Sequence, residues 1–178
     1  RANLSNSDLS YAILDQSNLS NCRIENASLS FSDLQEADLS GSNLHKTNLS
    51  GANLIAANII GANLSKANLT GAALSQARIS TSELNGTILN GARLDATNLS
   101  DSIMNGAAFE NAYMRRISLR NSSLINASLC GASLVGANMI NADLTQADLR
   151  RSDVSEARIS YANLHLAKVG VPDRQVLA

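Results

Sequence analysis

Residues 61–75 read GANLSKANLTGAALS, three five-residue units in which a large apolar side chain returns at Leu64, Leu69 and Leu74. Extended both ways, the same step runs from Leu4 to Val169, and all 34 places hold Leu, Ile, Val, Met or Phe without a slip of frame. Two places earlier stands Ala, Ser or Thr in 32 of the 34 units; Cys22 and Ile117 are the exceptions. The place between favours Asn, Asp and Ser, and nine of the ten glycines fall two places after the large residue.

A period of five matches neither the 3.6 of a helix nor the 2.0 of a simple strand. It matches a three-residue extended piece with side chains in, out and in, followed by a two-residue corner. The small residue and the Leu point inward; the Asn or Asp between them and both corner residues point out. Glycine suits a corner, where positive φ is often required. Such a chain winds into a coil whose turns pair their backbones roughly 4.8 Å apart. Glycines at 51, 71, 91 and 131, at 41 and 61, and at 86 and 106 point to a 20-residue coil with four sides.

The unit small–Asn/Asp–Leu–x–x, as in 61–75, resembles the Leu-type repeats of the pentapeptide-repeat proteins, and the resemblance covers residues 1–169. It implies an all-β fold, a right-handed quadrilateral parallel β-helix of about 8.5 coils and roughly 40 Å in length. Residues 170–178, GVPDRQVLA, leave the pattern and are expected to form a short tail that caps the last coil. Each buried Leu-like side chain is worth about 1.5–3 kcal/mol, so the interior ladder outweighs any surface contact. The residue two places earlier is small because a narrow coil lacks room for a second large inward side chain. Inward Ser and Thr are expected to bond nearby backbone groups.

Chemistry-bearing constellations are sparse. His45 and His165 fall at corners six coils apart, out of reach of a shared metal or proton relay. Cys22 and Cys130 are 108 residues apart, about 26 Å along the rod and beyond disulfide reach. No phosphate-binding loop, carboxylate dyad or nucleophile triad is present. The expectation is a protein that is not an enzyme and needs no cofactor or metal. A net charge of −1, with 14 basic and 15 acidic residues, is not the surplus of a nucleic-acid binder. No apolar run reaches the ~18 residues of a membrane span, so neither nucleic acid nor membrane is an expected partner. Charge is nevertheless polarised. Residues 1–40 carry two basic and six acidic groups, and residues 111–178 eight basic and five acidic. That polarity would favour end-to-end association of copies. The compartment is taken as cytoplasmic, or as periplasmic, lumenal or secreted if a leader precedes Arg1.

On a 20-residue coil, outward residues 20 apart stack in columns. Arg115 and Arg120 then lie beside Val135 and Ile140 one coil on, with Arg116 flanking and Tyr113 stacked over Arg93, where a cation–π contact could form. Arginine next to exposed β-branched residues has the composition of an interface core, so these residues form the first candidate partner surface. Ile55 with Ile60, and Tyr11 above Phe31, form secondary candidates. The interior of the same coil is atypical. Met104, Phe109 and Met114 are among its large residues and Ile117 fills a small slot, an arrangement expected to be compensated by the flexible methionines.

The expected function is therefore a non-catalytic interaction rod presenting flat faces to a protein partner. The resemblance also implies two alternatives: the repeat domain of a secreted bacterial effector, and a DNA-mimicking inhibitor of DNA gyrase of the quinolone-resistance type. The latter branch favours Phe at the central place and a strongly acidic surface. Here one of 34 central residues is Phe and the net charge is −1.

Overall fold

Most units of the chain close their backbone in the same way, and the unit 42–46 shows how. Asn43 N donates to Cys22 O in the preceding coil (2.9 Å), and Leu44 N to Asn63 O in the next (2.7 Å). Lys46 N reaches Ser65 O (3.1 Å), and Thr47 N closes the corner on Leu44 O (3.1 Å). The remaining N–H, at the first corner residue His45, goes to the side chain of Asn43, Oδ1 (3.1 Å). The preference for Asn or Asp before the large residue thus has a cause: the carboxamide or carboxylate satisfies a corner N–H that the ladder leaves free.

Repeated over the computed structural model, which describes residues 2–170, this unit gives parallel pairing of residue i with i+20 throughout, from Asn3↔Arg23 to Asp143↔Asn163. The longest continuous pairing joins β1 (Asp148–Leu149) to β2 (Lys168–Val169). Four units make one coil, and the chain is a right-handed quadrilateral β-helix. Its four faces are centred on the columns that begin at Asn3, Asp8, Ile13 and Asn18. We call them the first to fourth faces. Residues 171–178, most of the tail, lie outside the described residues.

The second corner residue of every unit from Asn6 to Leu166 has positive φ, between 54° and 71°. Nine of these positions are glycine, but Thr81, Tyr161 and Leu166 adopt the same backbone. A left-handed residue with a side chain costs roughly 1–2 kcal/mol. From Asn6 to Gln146 the N–H of this corner residue donates to a carbonyl of the next coil, as Thr81 N does to Ser100 O (3.1 Å).

Inside, the large residues from Ile24 to Met139 are 0–1% exposed, Phe109, Met114 and Ile117 included. Ile117 stacks in a column between Thr97 and Ala137, beside columns that hold Met114 and Met139, so two unbranched side chains frame the one enlarged slot. Inward hydroxyls bond backbone carbonyls either of the preceding coil, as from Thr47 to Ile24 O (2.7 Å), Ser82 to Ile59 O (2.9 Å) and Thr97 to Leu74 O (2.7 Å), or three residues back, as from Ser32 to Leu29 O (2.8 Å), while Ser17 Oγ is buried without a partner. Cys22 is buried in its Ala-type slot. In the last described coil Val154, Ile159, Leu164 and Val169 remain exposed, and with Met139, Leu144 and Leu149 they line a cavity of about 320 Å³.

Candidate protein-binding face

The fourth face runs down Asn18, Asp38, Asn58, Arg78, Asn98, Ser118, Asn138 and Arg158. The corner columns beginning at Asp15 and Gln16 border it on one side, and those beginning at Ser20 and Asn21 on the other. Its charges are segregated. From Asp15 to Gly41 the face and its borders carry Asp15, Glu36 and Asp38 and no cation; the next coil, residues 55–61, carries no charge. Beyond it stand Arg78, Arg115, Arg116, Arg120 and Arg158, all exposed, among Asp95, Asp101 and Glu156.

The ladder sets the register of this cluster. Arg116 N donates to Val135 O (2.9 Å), and Asn121 N to Ile140 O (3.0 Å). Arg115 and Val135, and Arg120 and Ile140, are therefore corner neighbours one coil apart. Val135 and Ile140 are half-buried rather than exposed, because each sits in a column between the corner residues of adjacent coils. The Arg116 stem lies along the rod over Gly136, whose added Cβ would meet Arg116 Cγ at 3.5 Å. Tyr113 is in register with Arg93 on the third face, 55% exposed, without a cation–π contact among the described residues.

The nearby acids serve the backbone more than the guanidinium groups. Asp95 Oδ1 accepts Arg115 N (3.1 Å), and Asp101 Oδ1 accepts the amide of Asn121 (2.9 Å). Asp153 accepts from both N and Oγ of Ser155 (3.0 and 2.6 Å). Its carboxyl is held below the usual range by that hydroxyl first, then by the Ser155 N–H, and further by the charge of Arg115. Among the described residues the one ion pair is Arg150–Asp148 on the second face (2.6 Å). Hydrogen bonding from Arg150 pushes the Asp148 carboxyl down to about 2.

The secondary candidates separate in space. Ile55 and Ile60 flank Asn58 on the fourth face, both half-buried. Tyr11 and Phe31 stack on the border of the second and third faces, ring centroids 5.4 Å apart and planes 13° from parallel. Phe31 lies over Gly51 of the next coil. Ile13, Ile88 and Ile103 are exposed at face centres and belong to none of the expected patches. Their signal is in the sequence: each occupies a place normally held by Asn, Asp or Ser.

Their presence raises the question of what caps the corner when the Asn or Asp is gone. Between Ala73 and Ser133 the face centres hold that residue type only at Asn98. At four corners of this stretch the cap comes from the corner of the preceding coil. Asn85 Oδ1 accepts Asn105 N (3.1 Å), Asn90 Oδ1 accepts Glu110 N (3.0 Å), and Asn105 Oδ1 accepts Ile125 N (3.0 Å). Asp95 does the same for Arg115. Relocating the cap frees the face centres of these coils to carry Ile103, Ala108 and Tyr113.

His45 and His165 occupy one corner column six coils apart, and Cys130 is a half-buried corner residue. Among the described residues no three His, Cys, Asp or Glu side chains group as metal ligands, and no helix is long and apolar enough to cross a membrane.

A four-sided parallel coil with a Leu interior and Asx-capped corners defines the class as a pentapeptide β-helix. The chain belongs to the pentapeptide repeats family, which it matches in eight copies over residues 2–41, 32–71, 47–86, 77–116, 112–151 and 137–169. Among solved structures it is similar to a trypsin-treated variant of QnrB1, a plasmid-mediated fluoroquinolone resistance protein, at 18% identity and TM-score 0.77, covering 96% of this chain and 90% of that one. A pentapeptide repeat protein of the Arabidopsis thaliana thylakoid lumen shares 29% identity over 57% of this chain and 71% of its own, at TM-score 0.56. HetL of the cyanobacterium Nostoc sp. PCC 7120, involved in heterocyst differentiation regulation, shares 29% identity over 97% and 86%, at TM-score 0.46. No curated protein sequence matches the chain.

Proposed function

We propose that the protein is a non-catalytic rod that binds a protein partner through the fourth face, centred on Arg115, Arg116, Arg120, Val135 and Ile140. One observation carries this reading: exposed guanidinium groups without ion-pair partners among the described residues, set beside half-buried β-branched side chains. Arginine is among the residues enriched at protein interfaces and among those that dominate their binding energy. The regular interior supports the same reading, because it fixes the outward columns while leaving their side chains free to vary. The likeness to QnrB1 is one of fold and supports no shared target.

The test is affinity capture with the wild-type rod and with an R115E/R116E/R120E variant. Partners retained by the wild type and lost by the variant are the expected result. An identical set of captured proteins ends the proposal.

A further inference from the structure

The fourth face also limits what the partner looks like; this step rests on the preceding reading of that face as a partner surface. Its centre from Arg78 onward runs Arg78, Asn98, Ser118, Asn138, Arg158, each paired in register with the next. Four such steps span about 19 Å at the ~4.8 Å strand spacing. The side chains along this line present donors. Asn98 and Asn138 spend Oδ1 on the corner N–H groups of Ser100 and Ile140 (3.1 and 3.3 Å), which leaves their NH2 groups facing outward. Arg78 and Arg158 end the line, and a guanidinium can only donate. Arg115 and Arg116 rise on one border at its middle and Arg120 on the other.

Asp95 and Asp101 stand on the same borders, where Oδ1 of each accepts from Arg115 N and Asn121 Nδ2 and neither carboxylate pairs with a guanidinium among the described residues. The five arginines form no ion pair among the described residues, and a bidentate carboxylate is the group a guanidinium fits best. Nucleic acid fits less well. The face carries three acids among its five arginines, and its one aromatic side chain among the described residues, Tyr161, stands on a border at the end of the line rather than along it, whereas single strands are held by successive stacking platforms and a basic surplus.

We infer that the fourth face receives an extended acidic segment of a protein, laid along the rod axis from Arg78 to Arg158 and clamped at its middle by Arg115, Arg116 and Arg120. At ~3.3 Å per residue the line of about 19 Å takes about six residues of extended chain. Carboxylates on its alternate side chains would face the rod.

The probe is a fluorescein-labelled decapeptide of alternating Glu and Ser, followed by fluorescence anisotropy in about 50 mM salt, where exposed charges are weakly screened. Saturable binding is expected, weakened at least ~10-fold by R115E/R120E. K46E/K66E should leave it unchanged. That variant makes the same net-charge change on exposed corner positions at the opposite edge of the rod. The inference is overturned by any of three results: no saturation at ~1 mM peptide, equal weakening by both variants, or tighter binding of a ten-residue oligothymidylate through the same arginines. Failure here, with patch-dependent partners still captured, removes the acidic segment and leaves the partner surface standing. Captured partners indifferent to R115E/R116E/R120E remove the partner surface itself.

Discussion

Replacing Asn105 by Ala should open one corner of the rod without touching its core. Asn105 Oδ1 accepts two hydrogen bonds, from Ile125 N (3.0 Å) and from Ser123 Oγ (2.7 Å). Both donors are half-buried. A neutral hydrogen bond contributes about 0.5–1.5 kcal/mol, and an N–H left unpaired in a shielded place costs about 1–3 kcal/mol. The Ser123 hydroxyl can turn to solvent, whereas the Ile125 N–H is fixed in the ladder. The loss should be about 1–2 kcal/mol, concentrated at residue 125. Native-state hydrogen exchange reads this directly: the Ile125 amide should exchange ~5–30-fold faster, and amides three coils away should not change. Ser123→Asn in the Asn105→Ala background should restore protection. It rebuilds the cap within the unit, as Asn63 does for Ser65 N (2.9 Å). Unchanged exchange at Ile125 in N105A, or no recovery with S123N, would refute the relocated cap.

Three further outcomes follow from the geometry. Gly71→Ala should cost only the left-handed corner, about 1–2 kcal/mol, because nothing lies within 4 Å of the new Cβ; Gly51→Ala should cost more in denaturant titrations and shift the Phe31 ring resonances, since its Cβ would fall 2.5 Å from that ring. Ile117→Ala should destabilise by about 2–4 kcal/mol despite restoring the residue type of the repeat, since Ile117 is fully buried and its removal leaves a cavity. Asp148 has a folded-state pKa depressed to about 2 by Arg150, so its stabilising contribution is present above the unfolded value of about 3.9 and is lost as pH falls through 2. Melting curves between pH 5 and 2 should therefore be less acid-sensitive in Asp148→Asn, by a small margin because Arg150 is mostly exposed and solvent screens the pair.

The coil and its frame are legible in the sequence because burial forces one side-chain type on every fifth place, from Leu4 to Val169, whereas the four sides come from the family resemblance, with the glycine spacing in support. The stacking of Tyr11 on Phe31, and of Arg115 beside Val135, is legible because a fixed 20-residue coil turns sequence separation into adjacency. What stays hidden depends on hydrogen bonds. The regular frame explains why Asn53 or Asn63 points outward but not that its oxygen caps the next corner. Nor does it show that Asn85, Asn90 and Asn105 assume that role for residues 20 positions on. Exposure at corners is hidden too: Val135 and Ile140, expected to be exposed, are half-buried. Their columns are shielded along the rod axis by neighbours from other coils, a dimension that a single unit does not contain. Ile13, Ile88 and Ile103 escape a reading of the corner columns because they stand at face centres, where their outward direction alone sets their exposure.

The unvarying register has a kinetic consequence. Every ladder contact closes a loop of about 20 residues, so a mean sequence separation of about 20 in 178 residues gives a relative contact order near ~0.11, within the range of helical bundles rather than of β-sandwiches. Each added coil meets the same closure entropy and gains the same set of backbone bonds. Growth should therefore proceed by templating, each finished coil serving as the surface on which the next is laid. A lesion in one coil would stall everything beyond it while leaving the coils already laid intact.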